Sequence, residues 1–358
     1  MKFSQQKKLI IAALLLITTI MSACQPKKNV APPTQRTYRM GFQNSAPNYY
    51  DFNKVLQTLN MWVLRADAAM ISIQAPWDSL YAGVTPQQYV TDNFTSFVNF
   101  YRGKNMKLWV YIDPANGLDR STDALDLKAL GKSIAQPGPQ QVYERFCFVM
   151  DSMLQPDHMG MALETNLVRG LSPDSLYQGV KTAANSAAAQ IAAYDTKVKL
   201  SVSVQVDWAW GALAGSSYVG VDQDFTDFPF VQELGLSSYP YFEFNDPNDI
   251  PSNYYSRLVQ GRNTPVFVSE GGWSSQQVGT YTETTQKQAD YITKQLQLAD
   301  NANAIGLFQL TFCDIDPAGI GSQPANLNQF IYIGLVDTSL NPKPALARWD
   351  DGFKRALK

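Results

Sequence analysis

Eight short apolar runs, each followed by a longer segment of helical period, set the strongest limit on what this 358-residue chain can fold into. The runs lie at 38–43, 68–74, 106–113, 160–164, 199–206, 233–238, 265–270 and 304–310. Between them, apolar residues recur at intervals of three and four, as in QQVYERFCFVMDSML and ETTQKQADYITKQLQLADN. Runs this apolar on both faces belong in a parallel sheet covered by helices. Eight such units predict an α/β chain with a single (β/α)₈ barrel over 37–358. A doubly wound open sheet is the alternative, but the turn after the first run, GFQNSAPNYYDF, has no glycine-rich phosphate loop.

The N-terminus reads as an address. Lys2, Lys7 and Lys8 precede an uncharged apolar stretch from Leu9 to Ile20, and small residues lead to Cys24. This resembles a bacterial lipoprotein signal over 1–23, which implies lipidation of Cys24 and anchoring in the cell envelope; an ordinary cleaved secretion signal is the other reading. Residues 24–36 are polar and proline-bearing, a flexible tether. Removing residues 1–23 takes three lysines and no acid, moving the formal charge from −2 to −5. That balance gives no footprint for nucleic acid. Cys147 and Cys313 either pair or stay as buried free thiols, the second being favoured by their places in a helix and after a strand. With His158 the lone histidine and no metal-ligand spacing, neither a metal site nor a histidine triad is expected.

In such barrels, chemistry collects on the loops that follow the strands. Glu164 and Glu270 end the fourth and seventh runs, which face each other across the mouth. Two carboxyls flanking one bond are what glycoside hydrolysis needs, and a separation of about 5–5.5 Å would give retention through a covalent intermediate. Trp77, Trp208, Trp210 and Trp273, four of the seven tryptophans, fall just past strand ends, where they offer flat faces to a sugar or merely cap the mouth. Asp113 and Asp207 also end runs, as sugar-hydroxyl acceptors or as loop caps.

These residues carry a family resemblance. The placement of Glu164 and Glu270 resembles that of clan A of the retaining glycoside hydrolases. LGLSSYPYF at 234–242 is similar to the strand-six SYYP stretch of the endo-β-1,4-galactanases. VSEGGWSS at 268–275 resembles the nucleophile segment of those enzymes, and LETN at 163–166 their acid/base segment. The resemblance implies Glu270 as nucleophile, Glu164 as acid/base, and Tyr239, or else Tyr241, as hydrogen-bond donor to the nucleophile. It also implies a sugar floor that includes Trp273. Leu163 stands where the clan has asparagine before the acid/base residue, and Asn166 is the available polar neighbour. The expected protein is therefore a monomeric, lipid-anchored β-glycosidase with a carbohydrate substrate and no cofactor. A glycan-binding lipoprotein that has lost turnover is the alternative. A structural envelope protein with no sugar site would instead bury all four tryptophans and lack a cleft.

Overall fold

The computed structural model describes residues 35–43, 45–319 and 325–358. The expected signal, Cys24 and the part of the expected tether before residue 35 lie outside them. Eight parallel strands close into a barrel in chain order: β1 Arg39–Gln43, β2 Ala68–Gln74, β3 Lys107–Asp113, β4 His158–Gly160, β5 Lys199–Gln205, β6 Glu233–Ser238, β7 Val266–Gly271 and β8 Gly306–Gln309. Closure comes from β1, which pairs with β2 on one side and β8 on the other. Eight strands are present as expected, but β4 lies ahead of its apolar run: it spans His158–Gly160 and shares only Gly160 with 160–164, so Glu164 stands four residues past the strand.

Alternation along each strand divides two cores. Leu108, Val110 and Ile112 of β3 point outward and pack under the helices. Trp109 and Tyr111 point inward with Met70, Phe267 and Phe308 to fill the barrel. The Tyr111 ring takes its space from glycines. A Cβ on Gly160 would lie 2.2 Å from that ring, and one on Gly235 would lie 2.4 Å from its hydroxyl. At the bottom of the barrel, His158 stacks on Trp109 at 3.7 Å and meets Glu233 at 2.6 Å. Cys147 and Cys313 are buried free thiols, as favoured.

Two irregularities decide where the carboxylates point. After Gly160 the chain leaves the ladder but stays bound to β5, through Met161 N to Ser201 O at 2.9 Å and Ser203 N to Ala162 O at 3.1 Å. It then turns sharply at Glu164, whose φ of 48° is left-handed and uncommon for a residue with a Cβ. On β7 the register with β6 slips: Val268 pairs with Leu236, and Glu270 pairs with the next residue, Ser237. Ser269 is therefore a bulge residue with no partner on β6. Phe267 faces inward, so unbroken alternation would send Glu270 out toward the helices. The extra residue brings it back to the inner face.

Candidate active site

A cleft of about 820 Å³ opens at the C-terminal ends of the strands, and Glu164, Glu270, Asp113 and Tyr239 all line it. Asp113 continues the inward face of Trp109 and Tyr111, which places its carboxylate at the mouth. Glu164 is fixed by its backbone N–H, which donates to Ser203 Oγ at 2.9 Å. Its side chain accepts from Arg120 Nε at 2.8 Å. The same guanidinium donates to Asp113 through NH1. Arg120 sits in the β3 loop, which is shaped by Asn116: its Oδ1 accepts from the N–H groups of Leu118 at 3.0 Å and Asp119 at 3.3 Å. Arg120 is buried between the two carboxylates, whose charges secure its protonation.

Among the described residues, Glu270 has no such cation of its own. Burial, and then the negative charge of Glu164, push its carboxyl up from 4.5 to about 7, with Arg120 partly opposing. In the resting cleft the ion pair thus belongs to Glu164, and Glu270 is the carboxyl inclined to hold a proton. Tyr239 is buried beside both glutamates, and burial followed by their charges drives its hydroxyl well above the usual phenol range. No hydrogen bond joins its hydroxyl to Glu270 among the described residues, so the expected donor role is not made here. Tyr241 is excluded from that role, because its hydroxyl donates to Gln329 O at 2.7 Å.

The sugar-binding expectations fare less well. Trp77 and Trp273 are fully buried; Trp77 packs near Tyr143, and Trp273 donates its indole N–H to Glu283. Neither is an open platform. Trp208 is half-buried with its ring against Gly170, and Trp210 is half-buried, donating to Tyr254 O at 2.9 Å. Neither lines the cleft. Asn166 is consumed in joining two strand ends: it donates to Gln205 O at 2.9 Å and accepts from Gln205 N at 2.8 Å. Asp207 is buried and accepts from Gln205 Nε2 at 2.7 Å and from the Tyr254 hydroxyl. Both are structural ties and not sugar acceptors. Asp314, another acid after β8, is buried in an ion pair with Lys343 at 2.5 Å.

Arg120 was missed by the sequence reading. It stands seven residues beyond the end of β3 in an irregular loop, and no periodicity singles it out. The aromatic residues that do reach the cleft are Tyr239, Phe242, Tyr281 and Phe330.

No family model matches the chain, and no curated protein does. Solved structures share its fold at low identity. The GH53 catalytic domain of Ignisphaera aggregans is 16% identical, with a TM-score of 0.61 over 93% of this chain and 99% of that one. Xylanase 10B of Thermotoga maritima is 12% identical, with a TM-score of 0.60 over 89% and 95%. An exo-β-1,4-mannosidase from Opitutaceae bacterium strain TAV5 is 12% identical, with a TM-score of 0.65 over 92% of this chain and 62% of that one. The chain thus has a barrel fold that is also used by glycan-cleaving enzymes.

Proposed function

We propose that the protein is a retaining β-glycosidase. The observation that carries this reading is the convergence of Glu164 and Glu270, from β4 and β7, on one cleft of the barrel. The likeness of the fold to a xylanase and a mannosidase supports it. Glu270 in its ionised form attacks the anomeric carbon. Glu164 gives a proton to the departing oxygen, so that the glycosidic C–O bond breaks and a glycosyl ester forms on Glu270. Glu164 then takes a proton from water, whose oxygen displaces Glu270 and releases the sugar. This sequence requires Glu164 to exchange its contact with Arg120 for a proton when substrate enters.

The test is Glu270→Gln with a panel of β-linked oligosaccharides and aryl β-glycosides. Release of sugar should be abolished while binding persists, and the anomeric configuration of the wild-type product, followed by NMR, should be retained. Undiminished hydrolysis by the variant, or an inverted product, sinks the assignment.

A second reading, glycan binding without turnover, is favoured by one observation: Arg120 occupies the carboxylate that should carry the acid proton. Leu163 in place of the clan's asparagine points the same way. Retention of glycans with no reducing sugar released across the panel would select it. As to location, we propose that the N-terminal signal delivers the chain to the cell envelope through a lipid on Cys24, which metabolic labelling of wild type and Cys24→Ala with a palmitate analogue would test.

A further inference from the structure

The cleft has two unlike walls. Around β6 to β8 lie all four aromatic residues of the lining, Tyr239, Phe242, Tyr281 and Phe330, with Leu310, Ile315 and Leu327 among them; the rings of Tyr239 and Phe330 meet edge to face at 4.9 Å. Around β3 to β5 it carries five leucines, Leu125, Leu163, Leu167, Leu171 and Leu213, alongside the polar Asp113, Asn116, Asp119, Arg120 and Gln205. Leu163 immediately precedes Glu164. Leu167 and Leu171 follow at intervals of four on the helix Thr165–Leu171, which puts them on one helix face leading outward from the carboxylate. Leu171, Leu125 and Leu213 are 48%, 49% and 40% exposed, three of the more exposed large apolar side chains of the described residues, and all three lie on this one wall.

Leucines offer no partner to a hydroxyl, and a polar group buried without one is unfavourable. A sugar set against Leu163, Leu167 and Leu171 would lose water from its hydroxyls and gain no hydrogen bonds from those side chains. A long alkyl chain loses nothing there and covers the exposed leucines. In the proposed reaction Glu164 protonates the leaving oxygen, so whatever lies along Leu163, Leu167 and Leu171 is the leaving group.

We infer that the substrate is a glycoside of a long-chain apolar alcohol, as in a glycolipid, with its sugar against the aromatic wall and its aglycone along the leucine wall. This rests on the glycosidase reading of Glu164 and Glu270. The bond cleaved is the anomeric C–O bond; water supplies the hydroxyl to the sugar and the proton to the released alcohol.

The experiment compares octyl with methyl β-glycosides of glucose, galactose, mannose and xylose, and with the β-linked disaccharide of each sugar. For the accepted sugar, kcat/KM should be at least about a hundredfold higher for octyl than for methyl. The octyl-to-methyl ratio should fall about tenfold in Leu171→Ser and again in Leu213→Ser. Equal rates on octyl and methyl glycosides, or preference for the disaccharide, overturn the inference. Calorimetric binding of octyl against methyl β-glycosides to Glu270→Gln supplies an arm that needs no turnover. If wild type hydrolyses nothing in the panel, the glycosidase reading fails, and this arm alone decides the leucine wall: tighter octyl binding that weakens in Leu171→Ser upholds it, and equal binding overturns it.

Discussion

Arg120 donates from Nε to Glu164 Oε2 at 2.8 Å while its NH1 meets Asp113, so one buried cation serves two strand ends. Removing it leaves two carboxylates buried without a counter-charge. Arg120→Gln should therefore lower the unfolding free energy by about 3–5 kcal/mol, read from urea denaturation at pH 7. Arg120→Lys keeps the charge but not the two-sided fork, and should fall between the variant and wild type. An unchanged urea midpoint in Arg120→Gln would show that the pair does not hold these loops.

Glu270 makes a prediction of opposite sign. Its carboxyl rises from 4.5 to about 7 on folding, so the folded protein binds the proton more tightly than the unfolded chain. The associated stabilisation is complete below pH 4.5 and is lost as pH rises through 7. Glu270→Gln should lack this slope and exceed wild type in stability at pH 8, relative to pH 4.5, by on the order of 3 kcal/mol. Asp151 and Glu243, also pushed to about 7 mainly by burial, give both proteins the same background, so the difference between the two curves isolates Glu270. Parallel curves would contradict the burial argument.

If Glu270 is the nucleophile, its ionised form is the active one. Turnover by wild type should then climb as pH rises through about 7, provided Glu164 keeps its proton in the complex. A kcat/KM profile flat from pH 5 to 8 would separate Glu270 from the rate.

Lys343 anchors the segment behind the cleft. Its ammonium is buried, meeting Asp314 at 2.5 Å, Ser275 Oγ at 2.8 Å and Gly334 O at 2.8 Å. Lys343→Met strands Asp314 and should cost about 3–5 kcal/mol. Lys343→Met with Asp314→Leu should recover most of it, which a double-mutant cycle by thermal or urea unfolding would measure.

Gly160 is small because of Tyr111. Gly160→Ala puts a Cβ within 2.2 Å of that ring and should cost about 1–3 kcal/mol. Combining it with Tyr111→Leu should cost less than the two single changes added together, because the clash is then gone.

The strands and their order were legible because alternation of apolar runs with helical segments reflects burial on both faces of each strand. The carboxylates were legible because strand ends in such a barrel share a rim. The direction of a side chain in the first turn past a strand was not. Trp77 and Trp273 follow strands as the sequence implied, yet both rings pack into the buried core and neither lines the cleft. Asn166 and Asp207 had the right chemistry for a sugar, but neighbouring strand ends left their own backbone and amide groups needing partners, and these two side chains met that need. Arg120 was illegible for another reason: its position depends on the Asn116 turn and on two carboxylates distant in sequence from each other.

The unpaired Ser269 bears on how this site relates to other barrels. Orientation of the glutamate on β7 depends on whether Ser269 is taken into the ladder with β6 or set aside as a bulge. Losing the codon for Ser269 would leave the glutamate directly after outward-facing Val268, still on the inner face of an unbroken ladder; keeping Ser269 but drawing it into the ladder would turn the glutamate out of the mouth. A gap-free alignment of this strand with one lacking the bulge would set Glu270 against an outward-facing position. Presence or absence of the acid at a column is thus a poor guide to whether such a barrel holds the pair; the spacing back to the last inward aromatic residue, taken together with the bulge, is the better one.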